Sequence, residues 1–195
     1  MSIKKKTKVS KKVLSPGKRQ KANEKITVDK DERQTPQLLY DNLQAALNLE
    51  FSLDAAATGR NKKAKAYITK KQNALITPWS VKGKDRYVFC NPPYSKTGGG
   101  VGAWLAKGVE EVKAGRVNLV AFLITLDSGV KWYADFSVYA KEIWQVFPRV
   151  KFAHPDVHEK ASADFSSSIF IFQKGHLDGS PTVRLWDWQD GLFLW

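Results

Sequence analysis

Two rhythms of apolar residues run through the chain from residue 33 onward. In PQLLYDNLQAAL (36–47), Leu38, Leu39, Leu43, Ala46 and Leu47 return every three or four positions, which predicts a helix. Thr35 is placed to cap it, and Pro36 suits its first position, where the missing N–H is not needed. VGAWLAKGVEEVKAG (101–115) repeats the pattern with Val101, Trp104, Leu105, Val109 and Val112, and Gly115 suits its end. SGVKWYADFSVYA (128–140) predicts a further helix, and NKKAKAYIT (61–69) a short helix leading into a strand. Strands are expected in FSLDAA (51–56), weakly in NALITPW (73–79), and in RYVFC (86–90) and EIWQVF (142–147). RVKFAHPDVHEKASADFSSSIFIF (149–172) predicts two strands around a polar loop. VNLVAFLI (117–124) is apolar on both faces, as in a central strand covered on each side. Strands alternating with helices predict an α/β fold: a doubly wound, mostly parallel sheet with an antiparallel end.

Composition adds a partition. The 195 residues carry a net charge of +13, and residues 1–30 hold eleven basic against two acidic residues, a net +9. That segment has few apolar anchors and is expected to be a disordered basic arm, with residues 31–195 forming one domain. The arm suits a polyanion whose phosphates it follows without sequence choice; a solubilising tail is the plainer alternative. Apolar content of 43% and seven Trp predict a folded globule in which Trp186, Trp188 and Trp195 cover the core. Cys90 is the single cysteine, so no internal disulfide and no cysteine-based zinc site can form. No apolar stretch is long enough for a signal peptide or a bilayer span, and a cytoplasmic setting is expected.

The strongest chemical signal is CNPPYSKTGGG (90–100). Two consecutive prolines end a strand abruptly and stiffen the turn, holding Asn91 and Tyr94 at the carboxyl end of RYVFC. An exocyclic amine on an aromatic ring is a poor nucleophile because its lone pair is delocalised. Fixed acceptors on its N–H hydrogens, the Asn91 side-chain oxygen and the Pro92 carbonyl, favour a pyramidal nitrogen and offset the charge that grows on alkylation. Pro92 and Pro93 keep those acceptors rigid, and Tyr94 offers a face on which an extruded base stacks. A rigid structural loop with a core tyrosine is the competing reading.

Two weaker signals accompany it. FSLDAAATGRN (51–61) ends a strand in Asp54 and follows it with Ala55 and Ala56, small enough for a ligand to approach the backbone. Thr35-Pro36 opens a helix whose free N–H groups suit a carboxylate. No G-x-G-x-x-G is present, which argues against a dinucleotide. Carboxylate, ammonium and amine sites together outline S-adenosylmethionine facing a base.

In this order and with these residues (Thr35-Pro36, Leu53-Asp54-Ala55-Ala56 with Asn61, and Asn91 to Ser95), the chain resembles the phage-encoded DNA adenine-N6 methyltransferases of the Dam-like type. VFPRVKF (146–152) and DFSSSIFIF (164–172) also resemble that family's closing strands, so the likeness covers about 33–173. It implies a class I S-adenosylmethionine-dependent methyltransferase-like fold and methyl transfer to adenine N6 in double-stranded DNA. The implied catalytic turn is Asn91, Pro92, Pro93 and Tyr94. Implied cofactor contacts are Thr35, Pro36, Asp54, Ala55, Ala56, Asn61 and Asn91, with Asn73 or Trp79 against the cofactor's adenine. Arg33 stands where the family pattern leads one to expect tryptophan, and no acid follows the second strand to hold a ribose.

Tyr94, Lys96, Arg149 and Lys151 are candidates for nucleic-acid contact, although isolated basic residues more often face solvent. Gly98 to Gly100 read equally as a hinge or as a plain flexible loop. His154, Asp156 and His158 read as a polar loop, and no metal site is assigned. The same turn also serves cytosine N4, RNA adenine or an amide, and a non-catalytic nucleic-acid-binding protein on this scaffold is the alternative from another class. Target sequence and oligomeric state are not legible.

Overall fold

The computed structural model describes residues 33–80, 82, 83, 86–95, 98–154, 157–162 and 165–195; the basic arm and Lys96 lie outside these residues. Along the chain come helix α1 (Gln37–Leu47), strands β1 (Leu53–Asp54), β2 (Ala66–Tyr67) and β3 (Tyr87–Cys90), and helix α2 (Gly100–Lys113). They are followed by β4 (Leu119–Thr125), α3 (Lys131–Ser137), β5 (Glu142–Phe147), β6 (Lys151–His154), β7 (Val157–Ser162), β8 (Ser167–Gln173), β9 (Thr182–Asp187) and β10 (Leu192–Phe193).

Eight strands form one sheet in the order β10-β9-β5-β8-β4-β3-β1-β2, and β6 and β7 form a separate antiparallel ribbon. The half that runs β2-β1-β3-β4 is wholly parallel. The expected antiparallel pairing is present in β8, which lies inside the sheet between β4 and β5 rather than at its end, and β10 pairs antiparallel with β9 at the edge.

Period-two alternation sorts the sheet's side chains onto two apolar layers. Val88, Cys90, Val120, Phe122, Phe170 and Phe172 pack with Trp104, Leu105, Val109 and Val112 of α2. Phe89, Leu119, Ala121, Leu123, Ile169 and Ile171 pack on the other face with Leu39, Tyr40 and Leu43 of α1. Helix α2 lies very close to β4 at Gly108, where a Cβ would collide with the Phe122 ring. A glycine is therefore required for the approach. Glu111, fully buried on α2, accepts from Arg116 Nε at 2.6 Å and from the Trp79 backbone N–H at 3.1 Å, and pairs with Lys107 at 2.7 Å. Burial pushes its carboxyl up, but the hydrogen bonds from Arg116, Lys107 and Trp79 outweigh that and hold it below the usual range.

Several expectations need correction. Helix α1 begins at Gln37 with Pro36 as its N-cap, and no side chain caps it, because Thr35 bonds elsewhere. Leu38 is half exposed; Leu39, Tyr40 and Leu43 form the buried stripe. No helix precedes β2. The Lys63 N–H donates to Asp54 Oδ2 and Asn61 Oδ1 accepts from Thr58, so side-chain bonds fix 58–63 as a tight loop. NALITPW is a turn rather than a strand, and the 149–172 region contains three strands, not two. Trp186 and Trp188 are buried as expected, but Trp195 is exposed.

Candidate functional site

Strands β1 and β3 are neighbours with Leu53 opposite Val88 and Asp54 opposite Phe89, so their carboxyl ends deliver 54–61 and 91–95 side by side. Between them opens a cavity of about 990 Å³, at the upper end of the range for small-ligand sites. Ala55, Ala56, Ala57 and Asn61 line one wall, Thr69, Asn73 and Leu75 another, and Asn91, Pro93, Gly98 and Gly99 a third. Sequence reasoning did not single out Gln34, Thr69, Leu75 or Trp104 as lining residues. Their only signal is position beside the motifs.

Asn91 is held from both ends of its side chain. Its Nδ2 donates to Thr35 Oγ1 at 3.1 Å and to the Arg33 carbonyl at 3.4 Å, and its Oδ1 lies 3.1 Å from the Tyr94 hydroxyl. The segment just before α1 therefore orients the amide on the Asn-Pro-Pro-Tyr turn. Tyr94 has a second acceptor, the Leu123 carbonyl of β4, at 3.2 Å. Its one proton can satisfy either oxygen. Burial pushes the phenol well above its ordinary pKa, so it stays protonated through the neutral range. The Tyr94 ring meets Phe165 edge-on at 5.5 Å, and the Arg33 guanidinium lies over the Phe165 ring, 5.1 Å from its centroid. Arg33 Nη1 is buried without a hydrogen-bond partner among the described residues.

Asp54 is 3% exposed and is not a wall of the cavity. Oδ1 accepts from the Ala56 N–H at 3.2 Å and Oδ2 from the Lys63 N–H at 3.0 Å. Burial pushes its pKa up to about 6, against the opposing pull of those two N–H groups and the Lys63 charge. Asp54 thus shapes the loop that carries Ala55 to Asn61. Thr35 and Pro36 also stand outside the lining, as do Pro92 and Tyr94, whereas Asn61 and Asn91 are in it. Asn73 lines the cavity; Trp79 is fully buried behind it, its indole N–H bonded to the Ala74 carbonyl.

Gly98 to Gly100 form a pinned turn. The Gly98 and Gly100 N–H groups both donate to the Ser95 carbonyl, and Trp104 Nε1 donates to the Gly98 carbonyl at 2.8 Å. Gly99, at φ +91°, caps α2 and leaves no room for a Cβ beside Leu75. Arg149 and Lys151 are exposed at the foot of the β6–β7 ribbon, away from the cavity walls. Asp156 lies outside the described residues, as do the side chains of His154 and His158. Among the described residues no group of three His, Cys, Asp or Glu is placed to hold a metal.

An open α/β sheet, parallel through β2-β1-β3-β4 and carrying its cavity at the strands' carboxyl ends, defines a class I methyltransferase-like fold. Residues 22–183 match the family described as DNA N-6-adenine-methyltransferase (Dam), and the chain belongs to that family. It is 31% identical over 144 residues to the DNA N-6-adenine-methyltransferase of Haemophilus phage HP1 (strain HP1c1), covering 73% of this chain and 78% of that protein. It is 29% identical over 94 residues to the DNA N-6-adenine-methyltransferase of Escherichia phage T1, covering 48% of this chain and 36% of that one.

Proposed function

We propose that this protein transfers a methyl group from S-adenosylmethionine to adenine N6 in double-stranded DNA, with Asn91 to Tyr94 as the catalytic turn. Membership of the DNA N-6-adenine-methyltransferase family sets the reaction class. The observation that carries the site assignment is Asn91, fixed from Thr35 and Arg33 at the wall of the large cavity. The lining suits the cofactor. Small residues Ala55 to Ala57 allow close approach to the backbone, apolar Leu75 and Trp104 offer flat contact, and Asn61, Thr69 and Asn73 supply neutral polar groups. Helix α1 begins beside Gln34, which also lines the cavity, and its first N–H groups suit the amino-acid carboxylate. When bound, S-adenosylmethionine supplies an electrophilic methyl group on a sulfonium sulfur.

The chain's own part is to grip and polarise the amine. Asn91 Oδ1 and the Pro92 carbonyl accept from the two N6 hydrogens, favouring a pyramidal nitrogen. The Tyr94 hydroxyl yields Asn91 Oδ1 to the amine by turning its proton to the Leu123 carbonyl, which is already at 3.2 Å. The Tyr94 ring gives the extruded base a face to stack on. No strong base is needed, because the nitrogen becomes acidic once alkylated and its proton passes to water. Asp54 stays behind the wall and keeps the 55–61 loop in shape. Arg149, Lys151 and Lys96 contact phosphates, and the protein acts in the cytoplasm of a bacterial host, in keeping with phage-encoded relatives. Among the described residues no helix is long and apolar enough to cross a membrane.

The test is incubation with duplex DNA, single-stranded RNA or protein and labelled S-adenosylmethionine, followed by nucleoside and amino-acid analysis. Label in N6-methyladenine from DNA is expected. Label only in N4-methylcytosine, RNA or glutamine contradicts the assignment.

A further inference from the structure

The positive charge of the folded part sits in one place. Residues 55–83 contain Arg60, Lys62, Lys63, Lys65, Lys70, Lys71 and Lys82 and no acid, while the rest of 31–195 holds 14 basic against 17 acidic residues. Without this segment the domain would be net negative. The segment also wraps the cavity: Arg60 and Lys70 are among its lining residues, and Lys62 and Lys71 adjoin the lining residues Asn61 and Lys70. Six of the seven cations are exposed. The exception, Lys63, is half-buried and gives its ammonium to Gln37 Oε1 at 2.9 Å.

Among the described residues, four cations elsewhere on the domain are paired with carboxylates. Lys107 and Arg116 pair with Glu110 and Glu111, Lys131 with Asp135 and Arg184 with Glu142. Among the described residues, none of the six exposed cations of 55–83 has a carboxylate within ion-pair distance. Lys62 instead lies over the Tyr67 ring at 4.7 Å. Asp54, the acid immediately before the segment, is buried and bonded to backbone. Like charges gathered without counterions raise the potential of a surface, and a polyphosphate backbone is the partner that lowers it.

We infer that Arg60, Lys62, Lys65, Lys70 and Lys71 form a phosphate-binding collar, and that bound DNA runs across the mouth of the cofactor cavity. The inference rests on the proposed function for its ligands. Its consequence is that DNA retards exchange of the cofactor product, so that the protein must release DNA, or slide off the collar, before it reloads.

The test uses the full chain, a non-specific duplex and S-adenosylhomocysteine. The variant Lys62→Gln/Lys65→Gln/Lys71→Gln changes only exposed side chains outside the cavity lining. Lys113→Gln/Lys174→Gln is the control; Lys174 follows β8, where its N–H pairs with the Asn118 carbonyl at the amino end of β4, the strand end opposite the cavity. The slope of log affinity for DNA against log salt should fall by about 2–3 in the collar variant, on the order of 0.9 per lost phosphate contact. Homocysteine-product affinity without DNA should be unchanged. DNA should slow product release several-fold in the native protein and in the control, and lose that effect in the collar variant. A retained salt slope, or a native release rate indifferent to DNA, overturns the collar. Should that happen while N6-methyladenine still forms, the collar alone fails; if the native protein binds no cofactor product, the functional reading fails with it.

Discussion

Asp54 carries a pH signature that can be separated from every other carboxylate. Its folded pKa of about 6 stands about two units above the ordinary value of 3.8. At about 1.4 kcal/mol per unit, ionising this buried group costs the folded state about 3 kcal/mol. A carboxyl whose pKa is raised on folding favours the native state while both states are protonated, below about pH 4. That advantage is lost as pH rises through the folded value, so the cost is complete by about pH 7. Asp54→Asn removes the ionisation but not the burial. An asparagine has one oxygen for two donors, the Ala56 and Lys63 N–H groups, and turns its amide donor toward the other. That clash costs about 1–3 kcal/mol at any pH. Urea denaturation of both proteins from pH 4 to 7.5 isolates the pH-dependent part. The stability difference should move in favour of asparagine by about 3 kcal/mol across that window, crossing from net destabilising toward neutral or stabilising. A flat difference would show that Asp54 ionises like an exposed carboxyl and that its burial has been misjudged.

Three other substitutions probe the supports of the site. Glu111→Gln leaves the buried Lys107 with only its longer 3.4 Å contact to Glu110 and loosens the Trp79 N–H anchor, and should lower stability by about 3 kcal/mol in denaturant titration. Because residues 73–75 line the cavity just before Trp79, cofactor affinity should weaken as well. Thr35→Val removes the oxygen that accepts from Asn91 Nδ2; kcat should fall about tenfold with cofactor affinity kept, and Thr35→Ser should restore it. Gly108→Ala drives a methyl group into Phe122, which is fully buried, and should cost about 1–3 kcal/mol of stability, read from the shift in thermal midpoint.

What the chain made legible depended on how local the cause was. VNLVAFLI announces a strand covered on both faces because its apolar side chains meet a packed layer on each, and β4 overlaps that run from Leu119 to Ile124. Asn91 to Tyr94 is legible because proline stiffness is a property of the residues themselves. Thr35 was expected at a helix cap and is instead bonded to Asn91, 56 positions away; only the fold makes those two residues neighbours. Asp54 was expected to meet a ligand, and its two oxygens are taken by backbone N–H groups in the loop that follows. The basic run after Asn61 has helical composition, yet the Thr58–Asn61 and Asp54–Lys63 bonds fix it as a loop. Strands β9 and β10, at the end of the sheet, are hard to read from the pattern because they expose part of their apolar content: Val183, Leu192 and Phe193 all face solvent in part. The collar around the cavity is visible in the sequence as charge alone. Its position is meaningful because 58–61 and 68–70 line the same opening as Asn91.

The central claim is that the amide of residue 91 grips the amine being methylated, and the most direct measurement replaces it. Single-turnover transfer of labelled methyl to duplex DNA should be compared between the native protein and Asn91→Ala, with DNA binding and S-adenosylhomocysteine binding measured on the same samples. The account predicts a loss of at least about 100-fold in N6-methyladenine formation, the scale of losing one preorganised polar contact to the reacting group, with both affinities within a few-fold of native. Methylation by Asn91→Ala at close to the native rate would contradict it.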